Sequence, residues 1–349
     1  MEEADAAAPL REMWYFALPG ARLGQGRMVA KTLLGEPLLL GRAADGMVFA
    51  LRDVCPHRGI PLHYGRFDGR EIECCYHGWR FDPAGRCVAI PSLAEGQQLD
   101  EAGRIRVKSY PAREVQGNVW VFFGDEPADA APEIPTIGEL GEARAPDLYE
   151  SVRMRCAIDH AVIGLMDPAH GPFVHRAWWW RAGNSIHEKE KAFAASAWGF
   201  TMLRHPPSRN SNAYRILGGA PSTEIAFRLP GVRIEDVRVG RHRLVNLTAV
   251  TPLGPGESEV NHAIYWTLPW LGPLKPLLRP FVRAFLGQDR DIMTKQQEGL
   301  RFQPLLSLVG DADQQARWYH RLKLEYVRAR AEGRPFENPV KDRVLRWRS

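Results

Sequence analysis

The sequence predicts an α+β protein that has an all-β domain first and a larger domain of antiparallel strands and helices after it. Short strand-like runs separated by glycine turns fill the region from Trp14 to about Gly124. A stretch rich in proline, alanine, glycine and acids follows, and after it come longer strand-like runs and helical periodicity. A chain of 349 residues suits about two domains. We expect domains at residues 1–125 and 148–349, joined by a linker at 126–147.

Three strands of the first domain can be placed from local patterns. The apolar runs 37–41 and 47–51 flank Asp45-Gly46, a dipeptide typical of a β-hairpin turn. The second run leads directly into the first cysteine of the domain. Residues 118–123 are almost continuously apolar, which predicts a buried strand that closes the domain.

The second domain contains a predicted hairpin followed by an amphipathic helix. Residues 244–252 and 258–268 flank a glycine- and proline-containing turn and are rich in β-branched and aromatic residues. Apolar residues then recur at helical spacing, with basic residues opposite them. The apolar set is Leu274, Leu277, Leu278, Phe281, Val282 and Phe285, and the basic set is Lys275, Arg279 and Arg283. We expect the apolar stripe to face the core, since helices that lie on a membrane surface are far rarer.

Two short segments of the first domain each pair one cysteine with one histidine. Cys55 precedes His57 by two positions, Cys74 precedes His77 by three, and sixteen residues separate the two pairs. Two thiolates on one iron and two imidazoles on the other form the ligand set of a Rieske 2Fe-2S centre. Tetrahedral zinc is the alternative, but zinc fingers usually place both cysteines in one arm and both histidines in the other. Cys75 is a second candidate thiol, but only Cys74 gives the Cys-x-x-His spacing.

The second domain opens with a further pair of histidines. His170 and His175 follow Asp167 in an Asp-x-x-His-x4-His pattern. Two imidazoles and one carboxylate on one face of iron(II) leave open positions for dioxygen. The histidines would lie about 140° apart on an ideal helix. We expect Gly171 and Pro172 to break the helix after His170, so that His175 can turn back towards the same ion.

Helical phase selects the carboxylate that completes this set. Counted from Phe285, Asp289 falls at about 40° and Gln296 at about 20°, on the predicted inward face, whereas Asp291 falls at about 240°. An inward aspartate needs a cation or a metal ion as its partner. Asp289 is therefore the predicted third ligand, and an ion pair near the helix end is the alternative.

These motifs resemble those of the catalytic α-subunit of Rieske non-haem iron oxygenases, nearer the branch of vanillate and dicamba O-demethylases and 3-ketosteroid 9α-hydroxylases. The resemblance rests on Cys55–Gly59, Tyr76–Asp82 and the iron motif, and it extends from Trp14 to about Gln297. It implies a Rieske domain followed by a helix-grip catalytic domain, with one 2Fe-2S cluster and one mononuclear iron(II) per chain and O2 as co-substrate. It also implies a head-to-tail homotrimer in which Asp167 links the cluster of one subunit to the iron of the next.

Two positions depart from the family pattern. Relatives usually carry proline at the place of Cys75, and this branch often carries asparagine at the place of Gly164. Asp159 and His160 could replace the polar contact of that asparagine, or they could be a helix-capping pair.

The resemblance predicts an enzyme that hydroxylates or oxidatively demethylates its substrate. The chain has no dinucleotide fingerprint and no ferredoxin cysteine run, so electrons are expected from a separate reductase or ferredoxin fed by NAD(P)H. A hydrophobic aromatic or polycyclic substrate is expected from nearby apolar residues, namely Trp178, Trp179, Trp180, Phe173, Met166, Leu165, Phe227, Trp266 and Trp270. Ordinary packing in the core or at a trimer interface is the alternative, and we expect it to account for most of these residues. The alternatives are desaturation of a sterol-like ring, or a Rieske electron carrier without a second iron.

Composition excludes several other functions. The balance of 46 basic against 41 acidic residues shows no basic run, so no nucleic-acid partner is expected. Five cysteines without a disulfide pattern fit a reducing compartment. The start of the chain does not resemble a signal peptide, and no apolar run is long enough to span a membrane. We expect a cytoplasmic protein without membrane contact.

Overall fold

The computed structural model describes residues 8–95, 97, 104–141, 144–175, 177, 186–207 and 220–349. Residues 11–145 form one compact unit and residues 146–349 form another. The first is built from strands, and the second combines a large antiparallel sheet with helices. The predicted α+β class is therefore confirmed. Within the described residues, no helix is long and apolar enough to cross a membrane.

The described part of the first unit contains three small sheets. Their strands are β1 (Met13–Pro19), β2 (Arg27–Leu33), β3 (Glu36–Arg42), β4 (Val48–Arg52), β5 (Arg66–Phe67), β6 (Ile72–Glu73), β7 (Arg80–Phe81), β8 (Cys87–Ala89), β9 (Ser109–Tyr110), β10 (Ala112–Val115) and β11 (Asn118–Phe123). The sheet orders are β1-β11-β10, β2-β3-β4-β9 and β5-β6-β7-β8. Strands β3 and β4 pair antiparallel around Gly46, whose φ of 91° requires glycine, which confirms the predicted hairpin. Every residue of β11 is buried, as predicted.

The segment predicted as a linker is partly fixed by the first unit. The side chain of Gln116 accepts a hydrogen bond from the backbone N–H of Ile137 and donates to the carbonyls of Ile137 and Leu140. Gln116 is only 4% exposed, so these bonds satisfy a buried amide. They hold this part of the segment against the β domain.

The second unit is a large sheet with helices. Its strands are β12 (Leu148–Met154), β13 (Glu188–Ser196), β14 (Gly199–His205), β15 (Ser222–Arg228), β16 (Val232–Val239), β17 (His242–Gly254), β18 (Glu257–Trp266) and β19 (Arg343–Arg348), and its helices are α1 (Ile158–Met166), α2 (Gly171–Val174), α3 (Lys275–Leu300) and α4 (Gln314–Ala331). Among the described residues the sheet has eight antiparallel strands in the order β12-β18-β17-β16-β15-β14-β13-β19. The predicted hairpin is β17 and β18, which pair over their whole length and differ from the prediction only at their ends.

The predicted orientation of the amphipathic helix is only partly confirmed in its first half. Leu278 and Val282 of α3 pack against a buried apolar cluster of the sheet, as predicted. Other residues of the same stripe are exposed, Leu277 at 65% and Phe281 at 43%. The basic side reaches the sheet as well, since Arg279 and Arg283 lie 3.6 and 2.7 Å from the buried carboxylate of Glu150 in β12, which requires cations. Gln296, also predicted to face inward, is exposed.

A buried ion pair joins α1 to α4. Asp159 Oδ1 accepts hydrogen bonds from Tyr319 Oη and Lys323 Nζ, each at 2.6 Å, and Lys323 is 2% exposed. The N-cap of α1 is Ala157, and no side chain caps it. Of the two alternatives for Asp159 and His160, helix capping is therefore not observed. Asp159 instead fixes the start of α1, the helix that leads to the iron motif.

Candidate metal centres

The two cysteine–histidine arms of the first unit share one backbone arrangement. The N–H of Cys55 donates to the carbonyl of Ile60, and the N–H of Gly59 donates to the carbonyl of Cys55. The second arm repeats both bonds, from Cys74 to Trp79 and from Gly78 to Cys74. Gly59 and Gly78 have φ values of 73° and 67°, which other residues rarely adopt. The two arms are thus equivalent loops, although one spaces its histidine by two residues and the other by three.

The predicted cluster ligands lie together on these loops. Cys55 and Cys74 are 1% and 2% exposed, whereas Cys75 is exposed. The rings of His57 and His77 lie with their centroids 4.5 Å apart. The arrangement presents two buried thiols behind two imidazoles at the surface, which suits a two-iron cluster with one iron facing each pair.

The electrostatics of the cysteines also fit a metal cluster. Burial, together with the neighbouring Cys74 thiol, raises the pKa of Cys55 to about 11. A free thiol at this position would therefore be protonated near neutral pH, whereas metal binding requires the thiolate. A metal cation held between the two loops would offset that cost.

The local sequence around the iron motif ends one helix and starts another. Helix α1 ends at Met166, and Asp167 is extended at ψ 117° because the following Pro168 disfavours helical geometry there. Gly171 begins α2, a single turn with proline in its first positions. The expectation that Gly171 and Pro172 break the helix after His170 is therefore wrong. The break comes earlier, and a proline in the first turn of α2 removes no helical hydrogen bond.

The structure brings His170, His175 and Asp289 together, as predicted from motif and phase. His170 Nε2 lies 3.1 Å from His175 Nε2, and Asp289 Oδ1 lies 3.7 and 3.2 Å from these two nitrogens. Ligands at right angles on a metal with bonds of about 2.1 Å are roughly 3 Å apart. The three atoms could therefore hold one ion on one face. Asp291, predicted to face solvent, is 59% exposed at its side chain.

Neighbouring groups orient both histidines. His170 Nδ1 donates to the backbone carbonyl of Asp167 at 2.8 Å, while the Asp167 carboxylate is farther away at 3.6 Å. His175 Nδ1 donates to Gln288 Oε1 at 2.8 Å, and the ring of Phe285 stacks on His175 with centroids 3.9 Å apart. Both Nε2 atoms are thus left for a metal. Sequence reasoning missed the orienting role of Gln288, although its place next to Asp289 on α3 was a usable signal.

The charges of this site act on His170. Burial lowers its pKa, but the carboxylates of Asp167 and Asp289 outweigh burial and leave the pKa raised above 6.5. In the absence of a metal, this site therefore attracts a proton, which shows that it favours a cation.

The sheet face beneath α3 carries a half-buried histidine, His262. His262 pairs across strands with Glu150 on one side and Thr248 on the other, and directly opposed residues share a face. Glu150 contacts α3, so His262 lies beneath that helix. Thr248 Oγ1 lies 2.8 Å from His262 Nδ1, and Nε2 has no partner among the described residues. Burial lowers the pKa of His262 to about 4, and Asp289 is near enough to oppose this shift.

Two of the apolar residues considered as substrate contacts pack within the core of the second unit. Phe227 packs on Phe200 and Tyr319 within the core, and Trp266 belongs to a buried cluster with Leu148 and other apolar residues. Phe173 and Trp270 are 57% and 43% exposed, whereas Met166 is buried and Leu165 is half-buried. Trp178, Trp179 and Trp180 lie outside the described residues.

Comparison with known proteins places these motifs in a family. The Rieske [2Fe-2S] domain family matches residues 13–111. The oxygenase component of dicamba O-demethylase from Stenotrophomonas maltophilia is 36% identical over 266 residues, covering 73% of this chain and 72% of that protein. The toluene-4-sulfonate monooxygenase system iron-sulfur subunit of Comamonas testosteroni is 41% identical over 36% of this chain and 34% of its own length.

Other matches extend over different lengths. Chlorophyllide a oxygenase of Chlamydomonas reinhardtii is 26% identical over 95% of this chain, which spans about half (51%) of that relative's length. The crystal structure of dicamba monooxygenase bound to dicamba superposes with a TM-score of 0.71 at 20% identity, covering 91% of this chain and 98% of that one. This structural similarity shows that the fold of the chain is a known one.

Proposed function

We propose that this chain, which belongs to the family of Rieske non-haem iron oxygenases, is the terminal oxygenase component of a multicomponent system. It uses O2 and electrons from another protein to hydroxylate or oxidatively demethylate an aromatic or polycyclic substrate. The convergence of His170, His175 and Asp289 in a chain with a Rieske domain is the observation that carries this proposal. An electron carrier alone has no need of this second set of ligands.

Each predicted ligand has a proposed role. Cys55, His57, Cys74 and His77 hold the 2Fe-2S cluster, and the three residues of the second unit hold a mononuclear iron(II). When bound, the two centres supply single electrons and a site for dioxygen. Within the protein, Gln288 and the carbonyl of Asp167 fix the ring orientation of the two iron histidines. We also retain the domain limits 1–125, 126–147 and 148–349 as part of the proposal.

Asp167 is the proposed link between the two centres. Its Oδ1 accepts the N–H of Ala169, and its carboxylate remains 34% exposed while its backbone carbonyl holds His170. A partly exposed carboxylate beside an iron ligand supports the proposal that it accepts an N–H from a cluster histidine of a second subunit. The family resemblance supports a head-to-tail homotrimer with this contact. Asp167→Asn should retain both metals and lose most coupled turnover, and full turnover in this variant would refute the link.

The remaining partners follow from the relatives. Matches described as an oxygenase component and as a subunit of a monooxygenase system support a separate reductase or ferredoxin, itself reduced by NAD(P)H. We propose that the system works in the cytoplasm.

His262 narrows the substrate class. This half-buried side chain presents a ring nitrogen on the sheet face beneath α3, near Asp289. A substrate with an oxygen-bearing group would give that nitrogen a hydrogen-bond partner, whereas a hydrocarbon would not. Dicamba, toluene-4-sulfonate and 3-chlorobenzoate, named for three relatives, each join an aromatic ring to an acidic group. We propose an aromatic substrate with an oxygen-bearing polar substituent that bonds to His262.

A substrate screen with a surrogate reductase tests this function. Oxygen uptake and formaldehyde are followed together for methoxybenzoates and for anisole, which lacks the carboxylate. The proposal predicts substrate-dependent oxygen uptake and a product that has gained oxygen or lost CH2. His262→Ala should raise KM for the methoxybenzoate and leave KM for anisole unchanged. A product that has only lost two hydrogens would instead identify a desaturase.

A further inference from the structure

Trp79 lies directly against one of the cluster ligands. Its ring stacks on His57 with centroids 4.4 Å apart and an interplanar angle of 4°. Its backbone carbonyl accepts the N–H of Cys74, the bond that closes the second arm. Trp79 therefore contacts both arms, one through its side chain and the other through its backbone.

The indole N–H of Trp79 has no partner. The Nε1 atom is buried, and no acceptor in the described part of the chain lies within hydrogen-bonding distance. Its side chain packs against the buried cluster of residues that includes Cys55 and Cys74. Buried donors in proteins are nearly always satisfied. The acceptors that a 2Fe-2S centre would add at this place are sulfur atoms, and N–H groups near such centres commonly bond to them.

A second tryptophan of the same unit has a buried N–H in different surroundings. Trp120 of β11 also has a buried Nε1 without a partner, but it packs on Phe16 within the β1-β11-β10 sheet. Of these two tryptophans, only Trp79 combines the unpartnered N–H with a ring stacked on a cluster ligand. Trp120 is therefore a matched control within the same unit.

We infer that Trp79 is a positioning residue of the Rieske centre, whose ring fixes His57 and whose indole N–H donates to a cluster sulfur and raises the reduction potential. A donor to sulfur stabilises the reduced cluster more than the oxidised one, because reduction adds negative charge. The stacked ring restricts rotation of the exposed imidazole. This inference rests on the cluster of the proposed function and is independent of the second iron site.

The test compares two holoproteins, Trp79→Phe and Trp120→Phe. Phenylalanine keeps an aromatic ring and removes the N–H. Spectroelectrochemical titration should show a lower midpoint potential for Trp79→Phe, while Trp120→Phe keeps the wild-type value. A wild-type potential in Trp79→Phe with a full cluster, or an equal shift in both variants, would overturn the inference.

A measurement on the unchanged protein covers the case in which Trp79→Phe loses its cluster. Pulsed EPR of the reduced wild-type holoprotein, labelled with indole-15N tryptophan, should show one coupled 15N. The absence of this 15N coupling would overturn the inference. Iron and sulfide analysis of the same sample reports separately on the presence of the cluster, so failure of the inference differs from failure of the Rieske assignment.

Discussion

Replacing Gln288 by leucine removes the acceptor that orients one iron ligand. His175 is 4% exposed at its side chain and donates Nδ1–H to Gln288 Oε1 at 2.8 Å. Leucine of similar size removes this hydrogen bond from the buried N–H, at a cost of about 1–3 kcal/mol. Losing such an outer partner typically weakens metal binding about 10- to 100-fold, or roughly 1.4–2.8 kcal/mol. We expect Gln288→Leu to weaken iron(II) binding in the second unit by that factor.

The assay is anaerobic competition for iron(II) with a chelator of known affinity. The visible spectrum of the 2Fe-2S cluster provides an internal control, since Gln288 is not a predicted cluster neighbour. Gln296→Leu on the same helix is the matched control, because Gln296 is exposed. Gln288→Glu keeps an acceptor and should bind iron at least as tightly as the wild type. Equal affinity in Gln288→Leu and wild type would refute the orienting role.

Three further outcomes are expected. Lys323→Met leaves the Asp159 carboxylate without its buried cation and should cost about 3 kcal/mol, which corresponds to a drop in Tm of roughly 6–12 °C by circular dichroism. Metal binds the neutral imidazole of His170, whose pKa is raised above 6.5, so cobalt(II) affinity should fall as the pH is lowered through that pKa. In the metal-free protein the same group adds stability at low pH that is lost as the pH rises through it. Gly65→Ala places a Cβ 1.9 Å from the carbonyl oxygen of Glu73, next to the second arm, and should reduce 2Fe-2S content measured by absorbance.

Each of these outcomes has its own control. Lys295→Met, at an exposed position, should leave Tm unchanged. An equal drop in both variants would show that the Lys323–Asp159 ion pair does not cause the loss of stability. Cobalt affinity that does not vary between pH 5 and 8 would contradict the charge argument for His170. Gly138→Ala meets no atom within 4 Å and should keep a full cluster. Normal cluster content in Gly65→Ala would show that the backbone at Glu73 can move without loss of the cluster.

Local signals in the sequence predicted much of the fold. The Asp45-Gly46 turn and the β17-β18 hairpin depend on neighbouring residues alone, and both appear as expected. The orientation of the first half of α3 was only partly predicted, because Arg279 and Arg283 also turn towards the buried Glu150, in a strand more than 120 positions earlier. Hydrophobic periodicity cannot detect such a distant charge.

The candidate iron site shows the same division. Helical phase correctly brought Asp289 towards His170 and His175, because Asp289 lies one turn after Phe285, whose ring stacks on His175. The helix break was misplaced, since the effect of Pro168 on the residue before it was overlooked. Gln288 was not assigned a role, because an amide is recognised as an orienting group only when the histidine it contacts is known.

Iron content most directly tests the claim that this chain holds two iron centres. Protein reconstituted anaerobically with iron and sulfide should contain about three irons and two sulfides per chain, and Asp289→Ala should contain about two of each. The same iron content in Asp289→Ala and wild type, or only two irons in the wild type, would contradict the second centre and leave a Rieske electron carrier.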